Sequence, residues 1–271
     1  MQPLKIGILN VMHDKAETNA RFTKVLTHAG VPVELHFYYP KTHYPGGVPA
    51  DVSRILAPLD LAAAARMDGF IITGAPIEKF AFDYVTYIDE ARALMDVLAA
   101  RRVTQLYLCW GGMAALDHFY GIKKHMLPHK LFGVYPHHLI APSSLLQGLP
   151  EGFYAAHARY AEMDRAQIEA DPRLRLEATT TAGALFLAGN RQARQTFMFA
   201  HLEYGQKGLL HEYQREVAAH PDRFYRKPEN YFADPATMSG PQFKWEQTQH
   251  VFFDQWVARV AKEQQEKERI L

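Results

Sequence analysis

Short apolar runs alternate along the first half of the chain with segments whose apolar residues recur at helical spacing. The runs predict buried strands over residues 4–12, 31–39, 69–74 and 104–108. The helical spacing predicts helices over residues 18–28, 84–101 and 113–120. Because strands that alternate with helices form βα units, the pattern predicts an α/β protein with a mostly parallel sheet flanked by helices.

The second half of the chain changes to strand-like pieces joined by short connections. These pieces predict antiparallel additions to the sheet over residues 131–140, 174–180, 184–188 and 196–200. Helices are predicted over 206–217 and 243–268, with an extended segment over 221–241. Residues 40–49 are rich in turn formers and are predicted to form a substrate-facing loop. We predict a single domain over residues 1–271.

Composition and charge indicate which kinds of molecule the protein binds, and they say less about its fold. The apolar fraction of 48% is ample for a core, and a net charge of +1 gives no footprint for nucleic acid or an anionic membrane. No apolar stretch approaches the length of a membrane span, and the amino-terminal residues show no basic leader. We therefore expect a cytoplasmic protein with a small-molecule substrate, and the sequence leaves a homodimer open.

Metal and nucleotide cofactors are not indicated. A single cysteine excludes a disulfide framework and a cysteine-rich zinc site, and the histidines near residues 125–138 and 157 show no convincing ligand spacing. The glycines form neither a dinucleotide fingerprint nor a phosphate loop. We expect no metal and no retained cofactor.

The candidate chemistry starts from Cys109, the only cysteine in 271 residues. It ends the apolar run 104–108 and is followed by Trp110 and two glycines, at a predicted turn from strand to helix. A second apolar run, 196–200, ends in His201 and Glu203. A thiol nucleophile needs an imidazole to hold it as thiolate, and that imidazole needs a partner to fix its tautomer. The pattern therefore predicts a Cys/His/Glu triad.

Catalytic groups collect at the carboxyl ends of strands in a doubly wound sheet. Cys109, His201 and the turn at residues 73–76 all follow predicted strands. The polarity of a helix N-terminus stabilises a thiolate, and backbone N–H groups near Gly74, Ala75 and Trp110 are candidates to hold an oxyanion.

Several segments, in the same order over nearly the whole chain, resemble the homoserine O-acyltransferases of the homoserine trans-succinylase type. The most specific are Thr-Gly-Ala-Pro at 73–76, Cys-Trp at 109–110 and His-x-Glu-Tyr at 201–204. Further matching segments are 3–10, 68–72, 114–116, 120–122, 130–135 and 159–160. The resemblance implies a class I glutamine-amidotransferase-like fold. It also implies a ping-pong mechanism in which the cysteine takes an acyl group from acyl-CoA and passes it to an amino-acid hydroxyl.

The resemblance also assigns roles to residues that would otherwise be ordinary surface charges. Cys109 would attack the thioester, His201 would shuttle the proton and Glu203 would orient the imidazole. Arg215 matches the family's arginine that binds the acceptor's α-carboxylate, a task suited to a guanidinium fork. Lys130 matches a family lysine near the active site.

Glu78 bears on the acyl donor. In the family, glycine two residues after the Thr-Gly-Ala-Pro turn leaves room for succinyl, whereas glutamate fills the pocket and repels a second carboxylate. This chain has glutamate there, which predicts acetyl-CoA as a substrate. The structural alternative is a solvent-facing side chain beside Lys79, with succinyl-CoA as donor.

The chain departs from the family pattern around the presumed substrate loops, at residues 12–19, 40–49 and Pro136. We predict L-homoserine as the acceptor, with L-serine as the alternative, since one methylene is worth only about 1–3 kcal/mol of discrimination. A glutamine amidotransferase or cysteine hydrolase shares the predicted fold and triad. Its nucleophile turn usually has glycine two residues before the cysteine, where this chain has Tyr107. A non-catalytic binding protein is a further alternative.

Overall fold

A ten-stranded sheet organises the computed structural model, which describes residues 2–268. In sheet order the strands are β3 (Ala57–Pro58), β2 (Val33–Tyr39), β1 (Leu4–Leu9), β4 (Gly69–Ile72), β5 (Thr104–Leu108), β10 (Gln195–Met198), β9 (Leu185–Asn190), β8 (Arg175–Thr180), β6 (Lys124–Leu139) and β7 (Tyr154–Met163). A separate pair consists of β11 (Phe232–Asp234) and β12 (Ser239–Pro241).

Helices connect many of these strands, and the last helix, α8, ends the described part of the chain. Their bounds are α1 (Lys15–Leu26), α2 (Ala50–Ser53), α3 (Leu61–Ala64), α4 (Ile88–Ala100), α5 (Trp110–Tyr120), α6 (Arg165–Ala170), α7 (Gly208–Ala219) and α8 (Glu246–Glu268). Within the described residues, no helix is long and apolar enough to cross a membrane.

The six strands from β3 to β10 run parallel, as the alternation of apolar runs and helices predicted. Successive side chains of a strand point to opposite faces, so these buried strands supply two cores. Ile71 packs in a cluster with Phe22 of α1 and Trp256 of α8. Its neighbour Ile72 packs in a second cluster with Leu98 of α4 and Met113 of α5. The predicted α/β class is therefore confirmed.

The antiparallel additions are β9, β8, β6 and β7, and here the sequence prediction needs two corrections. The sequence pattern predicts the run 196–200 as an antiparallel addition, but β10 pairs parallel with β5 and antiparallel only with β9. Strand β7 was not predicted, because its alternation is blurred by buried polar residues such as His157 and Arg159. The direction of β10 relative to its neighbours depends on β5, which is distant in the sequence. A local sequence pattern carries no information about such a partner.

Smaller differences concern the connections. Residues 40–49 contain a short 3₁₀ helix, Lys41–His43, and residues 221–241 include the β11–β12 pair rather than a plain extended segment. Helix α5 begins at Trp110, directly after Cys109, three residues earlier than predicted. The nucleophile candidate therefore lies at the helix N-cap, with no residues between it and the helix.

Candidate active site

Cys109 occupies a strained turn between β5 and α5. Its backbone has φ 46° and ψ −111°, a conformation that non-glycine residues rarely adopt and that is found at functional turns. The turn can lie this close to the end of β4 because Gly111 has no side chain. A Cβ there would lie 2.8 Å from the carbonyl oxygen of Ile72. The glycine thus lets α5 start tightly against β4, and the thiol is presented at the carboxyl end of the parallel sheet.

His201 follows β10 and reaches both proposed partners. Its Nδ1 lies 2.8 Å from Oε1 of Glu203, and its ring lies beside Cys109. Because Nδ1 faces Glu203, the other ring nitrogen is the one available to the thiol. Burial opposes the charged ring, but the charges of Glu203 and Cys109 outweigh it and hold the pKa of His201 well above its usual value. The three residues predicted from separate segments are therefore in contact.

The segment around His201 is fixed by contacts from β7, from α8 and from the neighbouring Tyr204. Its N–H donates to the carbonyl of Ala156 in β7 at 2.8 Å, and its ring stacks on Tyr204 with centroids 4.6 Å apart. The side chain of Gln249, in α8, donates to the carbonyls of Leu202 and Tyr204. These contacts hold the imidazole in one orientation.

The residues predicted to hold an oxyanion lie beside the sulfur. A Cβ built on Gly74 would be 3.2 Å from Cβ of Cys109 and 3.3 Å from Cε1 of His201. Ala75 lines the cleft above the thiol. Trp110 is the first residue of α5, so its N–H has no intrahelical acceptor. All three residues therefore lie close to Cys109.

A cleft of about 410 Å³ opens over Cys109 and His201. Its lining includes all three residues predicted to bind substrate, Glu78, Lys130 and Arg215. Residues 40–49 are not part of this lining, so the prediction of a substrate-facing loop there is not supported. Met12 and His13 also line the cleft. Burial and the charge of Arg215 lower the pKa of His13.

Lys130 is engaged in a buried ionic network. Its Nζ lies 2.5 Å from Oε1 of Glu212 and 2.9 Å from Oε1 of Glu216, both on α7. The hydroxyl of Tyr204 donates to the second carboxylate oxygen of Glu212 at 2.8 Å. Burial would raise the pKa of Glu212, but Lys130 and His201 lower it to about 2. The network joins the histidine's stacking partner to the wall of the cleft.

Arg215 lies one residue from Glu216 but makes no ion pair with the carboxylates of this network. It is half-buried, and no carboxylate of residues 2–267 lies within ion-pair distance of its guanidinium. A cation of this kind at the wall of a cleft is free to bind an anionic ligand.

Glu78 is part of the cleft wall. It is 6% exposed and its Oε1 accepts the N–H of Tyr160 at 3.1 Å, so the solvent-facing alternative is wrong. Burial raises the pKa of this carboxyl, while its hydrogen bonds and Lys130 act in the opposite direction. The hydrogen bond therefore holds the carboxyl group of Glu78 at a fixed position in the cleft wall.

The site has a cysteine at a strained strand-to-helix turn, next to a histidine and a glutamate, under a charged cleft. This arrangement is typical of enzymes with a cysteine nucleophile. Comparison with known proteins identifies the family. A family model described as homoserine O-succinyltransferase matches residues 1–266. The chain belongs to this family. It is an acyltransferase of the homoserine O-acyltransferase kind, as the resemblance predicted.

Relatives of this homoserine O-succinyltransferase family member are named for different acceptors, serine or homoserine. A serine O-acetyltransferase of Lacticaseibacillus casei is 55% identical over 260 residues, covering 96% of each chain. A homoserine O-acetyltransferase of Acetivibrio thermocellus is 33% identical, covering 95% of this chain and 84% of the relative. The crystal structure of a glutamine amidotransferase from Thermotoga maritima has a TM-score of 0.63 at 10% identity, covering 96% and 99%. The fold is therefore class I glutamine-amidotransferase-like.

Sequence reasoning did not select several residues of the cleft in this family member. Tyr204, Glu212 and Glu216 form the network around Lys130, and Tyr160 supplies the N–H for Glu78. A signal was present for α7, since Glu212, Arg215 and Glu216 have the i, i+3, i+4 spacing of one helix face, on the helix that follows His201 in the chain. Within residues 2–268 no group of three or more His, Cys, Asp or Glu side chains is placed to hold a metal ion.

Proposed function

We propose that the protein transfers an acetyl group from acetyl-CoA to the hydroxyl of L-serine through an acyl-cysteine intermediate. The observation that carries the chemistry is the hydrogen bond between Glu203 and His201, with the ring of His201 beside Cys109 beneath the cleft. The acceptor is supported by the 55% identity to a relative named serine O-acetyltransferase. L-homoserine, the acceptor expected from the sequence, is the second candidate, favoured by the relatives near 33% identity.

The first half-reaction acylates the enzyme. The protonated ring of His201 stabilises the thiolate of Cys109, which attacks the thioester carbonyl carbon. The carbonyl oxygen becomes negative and is stabilised by the N–H groups near Gly74, Ala75 and Trp110. When the carbon–sulfur bond to CoA breaks, His201 gives its proton to the departing thiolate, which leaves CoA as a thiol.

The second half-reaction restores the enzyme. Neutral His201 takes the proton of the acceptor hydroxyl as its oxygen attacks the acyl-cysteine. Cys109 leaves as thiolate beside the newly protonated ring, and the O-acetyl amino acid departs. Glu203 keeps one face of the imidazole fixed and stabilises its charge in both halves. Exchange between thioesters is nearly balanced in energy, so the protein contributes chiefly positioning and oxyanion stabilisation.

The charges of the cleft suit an amino acid as acceptor. Arg215 is available for the α-carboxylate, with two N–H donors of its fork. Glu212 and Glu216 place two carboxylates around the one ammonium of Lys130, and the excess negative charge complements the acceptor's α-ammonium. Acceptors that lack either charged group should bind weakly.

Intact-mass measurement tests the proposed chemistry directly. Protein mixed with acetyl-CoA should gain one acetyl group, and addition of L-serine should remove it faster than L-homoserine does. Cys109→Ser should show no rapid exchange. An unlabelled wild-type protein, or ammonia release from glutamine without acetyl-CoA, would refute the proposal, and faster discharge by L-homoserine would reassign the acceptor.

Arg215→Ala should raise the KM for the acceptor by about tenfold to a hundredfold, because a charge-assisted contact is lost, while the KM for acetyl-CoA stays unchanged. Steady-state kinetics with both substrates varied measures this split. Arg215→Lys keeps the charge but loses the fork and should give an intermediate KM. An equal rise for both substrates would argue against the assignment.

A further inference from the structure

The cleft over Cys109 continues outward into a second cleft of about 290 Å³, here called the outer cleft. The outer cleft shares Lys79, Tyr160 and Arg223 with the catalytic cleft and adds His129, Phe224 and Arg226 to its lining. A ligand lying along both clefts therefore has one end at the sulfur and the other among these side chains.

The lining of the outer cleft contains more cations than carboxylates. No carboxylate of residues 2–267 lies within ion-pair distance of Lys79, Arg223 or Arg226. The one carboxylate in the lining, Glu216, is already bonded to Lys130 at 2.9 Å. Lys79 is held in place, with its Nζ 3.6 Å from the ring centroid of Tyr160. The charges at the outer end of the cleft therefore favour an anion with several charges.

Another basic cleft of the molecule gives a comparison. It is lined by Arg191, Arg194, Arg259 and Lys262 together with Glu263 and Glu266. There Arg194 lies 3.5 Å from Glu263 and 3.6 Å from Glu266, so the two carboxylates balance part of the positive charge. That cleft shares no lining residue with the catalytic cleft, whereas the outer cleft shares several.

Phe224 adds an aromatic surface to these cations. It is 89% exposed, one residue from Arg223 and two from Arg226, so a planar base has free access to its ring. Arginine forks recognise phosphate groups in two-pronged contacts, and nucleic-acid bases stack on exposed aromatic rings. The side chains of the outer cleft match both parts of a phosphorylated adenosine.

We propose that the outer cleft binds the phosphorylated adenosine end of coenzyme A, with Arg223 and Arg226 on its phosphates. The assignment rests on the proposed function, since it takes acetyl-CoA as the donor. The pantetheine arm joins the thioester to the phosphates, so it runs from Cys109 past Tyr160 to the outer cleft. The nucleotide end therefore contributes binding free energy, although it lies far from the carbonyl group that reacts.

The test compares a full donor with a donor that lacks phosphates. In the double variant Arg223→Ala/Arg226→Ala, the KM for acetyl-CoA should rise by about tenfold or more. The KM for S-acetylpantetheine should not change. Adenosine 3′,5′-bisphosphate should compete with acetyl-CoA in the wild type and much less in the variant. Raising the ionic strength should weaken acetyl-CoA binding in the wild type more than in the variant.

The matched control is Arg191→Ala/Lys262→Ala, which removes the same charge from the other basic cleft. It should behave as the wild type with both donors. Unchanged acetyl-CoA kinetics in the outer-cleft variant, or equal changes with both donors, would overturn the inference while leaving the proposed function intact. If neither donor acetylates Cys109 in the wild type, the proposed function fails and the inference fails with it.

Discussion

Glu78 illustrates how much a single buried side chain decides at this site. Its carboxylate has a fixed hydrogen bond to the N–H of Tyr160 and lines the cleft that leads to Cys109. A succinyl group would bring a second carboxylate into the same confined space, where like charges repel strongly and room is short. The acetyl group has neither problem.

We therefore expect Glu78→Gly to gain succinyl-CoA turnover by about tenfold or more relative to acetyl-CoA. The ratio of kcat/KM for the two donors is the measurement. Glu78→Gln separates the two causes, because it removes the charge and keeps the volume. A donor ratio that stays at the wild-type value in both variants would show that the pocket argument is wrong.

Glu203 raises the pKa of His201. Its negative charge is the largest influence that raises the pKa of His201 against the effect of burial. We expect Glu203→Gln to lower that pKa and to reduce kcat by about 100-fold to 10,000-fold, because the ring loses both its charge partner and its fixed tautomer. The pH profile of kcat measures the shift. Glu151→Gln, a change at an exposed glutamate outside the cleft, should leave the profile unchanged.

At the scale of elements, the junction of β5 and α5 determines where the sulfur lies. The strained backbone of Cys109 is tolerated because the helix that follows packs directly on β4. Gly111 is the contact point, with two carbonyl oxygens, those of Ile72 and Thr73, within 2.9 Å of a Cβ added there. The turn and the helix position are therefore coupled.

We expect Gly111→Ala to destabilise the protein by about 1–3 kcal/mol and to lower kcat, because the added methyl group pushes α5 away from the sheet. Urea unfolding and steady-state kinetics measure the two effects. Gly205→Ala is the control, since a Cβ at Gly205 meets no atom within 4 Å. Equal stability of the two variants would contradict the packing argument.

Strand β7 acts on the same site from the antiparallel side of the sheet. Arg159 is fully buried and donates to the carbonyl oxygen of Phe199 at 2.8 Å, two residues before His201. It also donates to the carbonyl of Leu185 at 2.9 Å and to the carboxylate of Glu162 at 2.6 Å. This arginine therefore ties β7 to the segment that carries the triad histidine.

We expect Arg159→Met to cost about 3–5 kcal/mol of unfolding free energy, because it leaves the Glu162 carboxylate buried without its cation. The double variant Arg159→Met/Glu162→Met should recover much of this loss. The control is Arg165→Met, which breaks the half-exposed pair with Glu169 and should cost less than about 1 kcal/mol. A double variant as unstable as the single one would contradict the argument.

At the scale of the whole molecule, the Lys130 network connects β6 of the antiparallel additions with α7, which follows the triad. The pKa of Glu212 falls from a usual value of 4.5 to about 2. A carboxyl whose pKa is lower in the folded state stabilises the fold above its unfolded pKa, and that contribution disappears as the pH falls toward the folded value. The network should therefore make the protein sensitive to acid.

We expect the unfolding free energy of the wild type to fall by about 3 kcal/mol through Glu212 alone between pH 4.5 and pH 2. Glu212→Gln should lose this part of the pH dependence and be less stable than the wild type at pH 7. Urea unfolding measured over that pH range tests it. The same slope in wild type and variant would show that Glu212 does not supply the effect.

The sequence by itself determined the alternation of buried strands and helices and the α/β class, and it selected the three residues proposed here as a triad. Those features are local, since an apolar run predicts a strand and a reactive residue at its end is placed by that strand. His201 and Cys109 lie at the ends of β10 and β5, which are neighbours in the sheet, so their contact follows once these strands pair.

Only the tertiary structure decided the rest. The parallel direction of β10, the existence of β7 and the pairing of Lys130 with Glu212 depend on contacts between residues far apart in the chain, which no local pattern encodes. Arg215 and Lys130 look alike in the sequence, yet one is free and the other is neutralised, because burial and neighbouring charges are properties of the folded chain.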